Sequence, residues 1–81
     1  MISYTTKGTC SRQIDVELED GIIKYVKFHG GCNGNLKGIS QLVVGMPAQD
    51  IINRLKGTTC GFRDTSCPDQ LSKALEQALS E

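Results

Sequence analysis

The stretch IDVELEDGIIKYVKFH, residues 14–29, decides the fold. Ile14, Val16 and Leu18 alternate with Asp15, Glu17 and Glu19, which is the period of a strand with one face buried and one in water. Asp20-Gly21 follows at once, and that pair favours a two-residue hairpin turn. The chain then resumes with β-branched and aromatic residues, with Val26 and Phe28 on one face. Working outward, Ile2-Ser-Tyr-Thr-Thr6 reads as a third strand, joined through the segment that carries Cys10. The N-terminal third is therefore about three antiparallel strands.

After His29 the period changes from two to that of a helix. Gly30, Gly31, Asn33 and Gly34 predict a tight turn around Cys32. Leu36, Ile39, Leu42 and Val43 then fall at helical spacing, and Gly45 suits the helix end. Pro47 opens a second helix lined by Ile51, Ile52 and Leu55, and Gly57 closes it. The third helix is the clearest, with Leu71, Ala74, Leu75, Ala78 and Leu79 on one stripe. Before it, Ser66 and Asp69 form a near capping box, and Pro68 lies in the first turn. Strands followed by helices predict an α+β fold: a small three-stranded antiparallel sheet covered on one face by about three helices, as one domain over residues 1–81.

At 81 residues with only four aromatic side chains, the core is small, and a staple such as a metal, a disulfide or a partner subunit is expected. Nine basic and nine acidic residues cancel, which excludes the basic footprint of a nucleic-acid binder. The first residues lack the apolar core of a secretory signal, and no segment has the apolar length of a membrane span. The expected compartment is the cytoplasm, where four cysteines point to metal or redox work rather than a disulfide frame.

Cys10, Cys32, Cys60 and Cys67 all fall at the ends of elements, and none lies inside a predicted stripe. That scatter suits a convergent ligand set. Cys32 and Cys67 sit at helix starts, where orphan N–H groups and the helix dipole favour a thiolate, the form that binds metal and the form that attacks. The spacing C-x21-C-x27-C-x6-C is not the paired knuckle of zinc ribbons. Two plainer readings stand beside it: cysteines as small hydrophobes, or a pair of disulfides in one of three connectivities. His29, before Gly30-Gly31-Cys32, reads as a strand-end histidine, with a ligand or base as the sharper alternative. Asp15, Glu17 and Glu19 read as a solvated face, and Arg63 and Asp64 as a solvated loop. No nucleophile–base–orienter set and no dinucleotide or phosphate-loop glycine pattern is present.

Thr65-Ser66-Cys67-Pro68-Asp69 spells TSCPD. With Cys10 before a strand, the Gly-Gly-Cys-x-Gly turn at Gly30 to Gly34 and Cys60-Gly61, the chain resembles the TSCPD-domain family over nearly its whole length. That resemblance implies a domain found at the C-terminus of cobalamin-dependent ribonucleotide reductases, enzymes of DNA precursor synthesis, and also free-standing. It implies four cysteine metal ligands: Cys10, Cys32, Cys60 and Cys67. The chain has no reductase barrel, so the oxidoreductase activity does not follow from the kinship. A looser likeness links Cys10, the hairpin, Phe28 to Gly34 and Cys67 to the NifU/IscU-type iron–sulfur scaffolds. It departs from them at Ser11-Arg12, at Ser66, in lacking the chaperone signal and in having Cys60 as an extra cysteine.

The expected function is a cysteine-rich metal-binding module. Zinc is the first choice, because it takes closed four-thiolate sites, and the same ligands admit an iron–sulfur cluster. The alternative is a dithiol redox protein in which Cys60 and Cys67 pass electrons to a reductase-like partner. A third reading is an interaction domain whose partner is the reductase itself.

Overall fold

The computed structural model describes residues 2–7, 11–31, 33–59 and 65–80. Three strands, β1 (Ile2–Thr5), β2 (Ser11–Glu19) and β3 (Ile22–Gly30), are followed by three helices, α1 (Asn33–Val43), α2 (Ala48–Leu55) and α3 (Cys67–Leu79). The sheet runs β1-β2-β3 with antiparallel neighbours, which is the α+β architecture expected from the pattern.

The hairpin turn is built by backbone sterics. Asp20 and Gly21 both have positive φ, 53° and 78°, the combination a two-residue turn needs to match the twist of its strands. The register pairs Ile14 with Phe28 and Val16 with Val26, so the apolar side chains of both strands share one face. Two irregularities adjust that register. An extra residue in β3, at Lys24, lets Ile23 share the inner face with Val26, and an extra residue in β2, at Arg12, sets Ser11 opposite Gly30.

The helices cover that inner face. Ile14, Val16, Ile23 and Val26 pack with Val43 of α1, Ala48, Ile51 and Ile52 of α2, and Leu71, Ala74 and Leu75 of α3. α1 lies against β3, α3 lies across β2 and β1, and α2 packs on α3. The link between α1 and α2 is sewn to the hairpin. The Ile23 N–H donates to the Met46 carbonyl (2.9 Å), the Gly45 N–H to the Ile23 carbonyl (2.8 Å), and the Ala48 N–H to the Gly21 carbonyl (2.8 Å). Gly45 and Gly57, at φ +91° and +86°, end α1 and α2 where the sequence places their stops.

Three expectations are corrected. Leu42 is not part of the α1 stripe and is 76% exposed. Leu36, Ile39 and Val43 keep the spacing that faces the core, and Leu42 is rotated off it. Gly34 does not belong to a turn, because α1 already begins at Asn33, and among the described residues of that connection positive φ falls at Gly30 and Gly31. Asp15 is not a solvated bystander, as the ladder of bonds on the outer face shows below.

Two glycine substitutions separate turn chemistry from helix propensity. A Cβ at Gly21 or at Gly38 meets nothing within 4 Å, so only backbone preference differs. Gly21→Ala, at φ +78°, is expected to destabilise by about 1 kcal/mol. Gly38→Ala, inside α1, is expected to stabilise by roughly 0.5–1 kcal/mol. Urea midpoints of the two variants, moving in opposite directions, check both.

Candidate functional site

The start of α3 is held by side chains rather than by apolar packing alone. Ser66 is the N-cap: its hydroxyl oxygen accepts from the Asp69 N–H at 3.1 Å while its O–H donates to the Thr58 carbonyl at 2.7 Å. The capping box is only half made. The Asp69 carboxylate accepts instead from the Gly57 N–H at 2.7 Å and from the Thr65 hydroxyl. One carboxylate therefore ties the end of α2 to the entrance of α3. Gln70 extends the network, donating to Thr65 Oγ1 at 2.9 Å and accepting from the Lys7 N–H at 3.1 Å. Thr65, Ser66, Asp69, Gln70 and Ser72 are all buried, and among the described residues no buried side-chain N or O atom lacks a partner.

Cys67 is the first residue of α3 and is 8% exposed. Its sulfur lies 3.3 Å from the hydroxyl of Ser11, the first residue of β2. The sequence reading gave the sulfur to the N–H groups of the helix. In the structure, Pro68 has no N–H, the Asp69 N–H goes to the Ser66 hydroxyl, and the Gln70 N–H goes to the Ser66 carbonyl at 2.8 Å. A hydroxyl from the sheet stands beside the sulfur. Ser11 was missed because nothing in a local pattern pairs residue 11 with residue 67.

Cys10, Cys32 and Cys60 lie outside the described residues, as do Gly61, Arg63 and Asp64. Their described neighbours meet at one end of the molecule. Ser11, which follows Cys10, touches Cys67. Gly30, two residues before Cys32, pairs with Ser11 across the sheet. Thr58, two residues before Cys60, accepts the hydroxyl proton of Ser66, which precedes Cys67. Among the described residues, no group of three His, Cys, Asp or Glu side chains comes together as metal ligands.

His29 points to the outer face of the sheet. Its Nε2–H donates to Asp15 Oδ2 at 2.7 Å, while Ser3 (2.7 Å) and Gln13 (2.8 Å) donate to Asp15 Oδ1. The bond from His29, then those from Gln13 and Ser3, hold the Asp15 carboxyl at about 2, against the smaller opposing effect of burial. The expected solvated acid thus clasps all three strands. For Asp69, burial alone pushes the carboxyl up, but the bonds from Thr65 and Gly57 and the charges of Lys73 and Lys56 together outweigh it. They hold the carboxyl below its ordinary value.

The family model of the TSCPD domain matches residues 2–79, and the chain belongs to that family. No curated protein and no solved structure matches the chain. No helix among the described residues is long and apolar enough to cross a membrane.

Removing the Asp69 carboxylate leaves the Gly57 N–H and the buried Thr65 hydroxyl without their acceptor. Asp69→Ala is therefore expected to destabilise by about 2–4 kcal/mol, read from urea unfolding at neutral pH. Asp15 and Asp69 both have folded carboxyls below the unfolded value, so their contribution is complete above about pH 4. It is lost as pH falls through the folded values, for Asp15 near 2. Asp15→Asn should flatten the loss of stability between about pH 4 and pH 2, measured as midpoint against pH.

Proposed function

We propose that this TSCPD domain is a metal-binding module whose ligands are the thiolates of Cys10, Cys32, Cys60 and Cys67, with zinc as the resident ion and an iron–sulfur cluster as the other occupant those ligands admit. The observation that carries the reading is the contact of Ser11 with the Cys67 sulfur at 3.3 Å. It joins the start of β2, next in sequence to Cys10, to the start of α3. The Ser11–Gly30 pairing and the Ser66–Thr58 bond bring the flanks of Cys32 and Cys60 toward the same end.

The surroundings of Cys67 fit a ligand. The sulfur is buried, and a hydroxyl stands beside it that can donate to a thiolate and orient it, as neighbours of metal ligands do. Bound there, a metal would supply a cross-link between the sheet and the entrance of the last helix. A chain this small, with a core of aliphatic side chains, gains stability from such a staple. The site would be structural and the domain not catalytic by itself. Its work would be in the cytoplasm, as an accessory or partner of a ribonucleotide reductase, in line with the resemblance drawn from the TSCPD, Gly-Gly-Cys and Cys-Gly motifs.

A second reading is a dithiol redox protein using Cys60 and Cys67. It is favoured by the same bond of Ser66 to Thr58, which draws the two arms of that connection together.

Metal content separates the two. Protein purified without oxygen or chelator is expected to carry stoichiometric zinc or iron by elemental analysis. Cys67→Ser should lose most of it and melt clearly lower, and a strong chelator should reproduce that loss in the wild type. Metal-free wild type with a reversible Cys60–Cys67 disulfide, and a variant that melts like the wild type, establishes the redox reading instead. If metal content, melting and thiol response are all unchanged in the variant, both readings fail.

A further inference from the structure

β3 is an edge strand, and its free side can be assigned residue by residue. The Thr6 N–H donates to the Arg12 carbonyl at 3.2 Å, so even-numbered residues of β2 turn their peptide groups toward β1. Ile14 and Val16 then face β1, and their partners Phe28 and Val26 turn N–H and C=O away from β2. The start of β3 agrees: Ile23 already uses its N–H and C=O on that side, with Met46 and Gly45. Through the irregularity at Lys24, the same side continues to Val26, Phe28 and Gly30. Among the described residues, no backbone group pairs with those three on that side.

Beside this edge lies a groove of about 440 Å³ between β3 and α1. Its apolar lining is Val26, Phe28 and Leu36, and Lys27 and Lys37 stand along it with no carboxylate among the lining residues. A strand presenting unpaired backbone groups next to an apolar groove is the arrangement that accepts an added strand. Charge selects the occupant. β3 carries Lys24 and Lys27 and no acidic residue, so a second copy of the edge would bring lysines against lysines.

We propose that the free edge of β3 and the β3–α1 groove bind an extended, acidic peptide segment of a partner protein. The segment continues the strand pairing that Gly45 to Pro47 begin. Its backbone bonds to Val26, Phe28 and Gly30, alternate apolar side chains enter the groove, and the acidic ones between them turn to the outer face beside Lys27, while Lys37 of α1 adds positive charge on the groove side.

The test uses the full chain and a panel of roughly seven-residue peptides, enough to span the edge at about 3.3 Å per residue. Each has apolar residues at alternate positions and Asp or Glu between, and each has a lysine counterpart. Fluorescence anisotropy should show acidic members binding at least about tenfold more tightly than their lysine counterparts, with affinity falling as salt rises. Hydrogen exchange at the Val26 and Phe28 amides should slow on binding. The Lys27→Glu/Lys37→Glu variant, altered at two exposed positions, should reverse the preference while its melting stays near that of the wild type. Equal binding of the two panels, binding that leaves those amides unprotected, or an unreversed preference overturns the proposal. So does concentration-dependent self-association that protects the same amides without peptide, which would assign the edge to a second copy.

Discussion

The carboxylate of Asp69 is the group on which the rest of the helical layer depends. It is 4% exposed, it accepts the N–H that follows α2 and the hydroxyl that precedes α3, and Lys73 lies 4.0 Å away. A buried charge is costly unless it is bonded, and here the bonds come from the chain just after α2 and from the residue just before α3, with Lys73 one turn further along the helix. The connection between α2 and α3 thus ends in a fixed geometry, and Cys67 inherits it. Ser66 adds the helix cap and a bond back to Thr58, so the two arms of the connection are tied by side chains rather than by packing.

The sheet supplies the other half of that end of the molecule. The extra residue at Arg12 places Ser11 opposite Gly30 and turns its side chain inward to Cys67. On the opposite face, Asp15 gathers Ser3, Gln13 and His29 across three strands. One polar cluster secures the strand register and the other secures the helix entrance, and the apolar core of Ile14, Val16, Ile23, Leu71 and Leu75 lies between them. The core sets the layers, while the polar clusters set where the ends of the elements meet.

The functional reading joins these features. A four-thiolate site needs chain ends brought together, and the bonds of Ser11, Ser66 and the Gly30 pairing draw the neighbours of all four cysteines toward one end. The edge of β3, unpaired at Val26, Phe28 and Gly30 among the described residues, is a separate surface.

Much of this was legible in the sequence. The hairpin followed from Asp20-Gly21 and the alternation around it, since a period of two and a pair tolerant of positive φ are local properties. The helix stops at Gly45 and Gly57, the cap at Ser66 and the α3 stripe from Leu71 to Ala78 were readable for the same reason, whereas Leu79 at its end is 40% exposed. The TSCPD motif was equally plain, and it marked the family. What only the tertiary structure decided were the pairings between distant residues. Leu42 has the right composition for the core and the wrong angle, which depends on how α1 rolls against β3. Asp69 looked like half of a capping box, but its carboxylate accepts from the Gly57 N–H, which the packing of α2 on α3 brings to it. Ser11 beside Cys67 joins residues 56 apart, and Asp15 with His29 joins residues 14 apart. Such contacts depend on how the layers meet in space, and hydrophobic period and local propensity act over only a few residues.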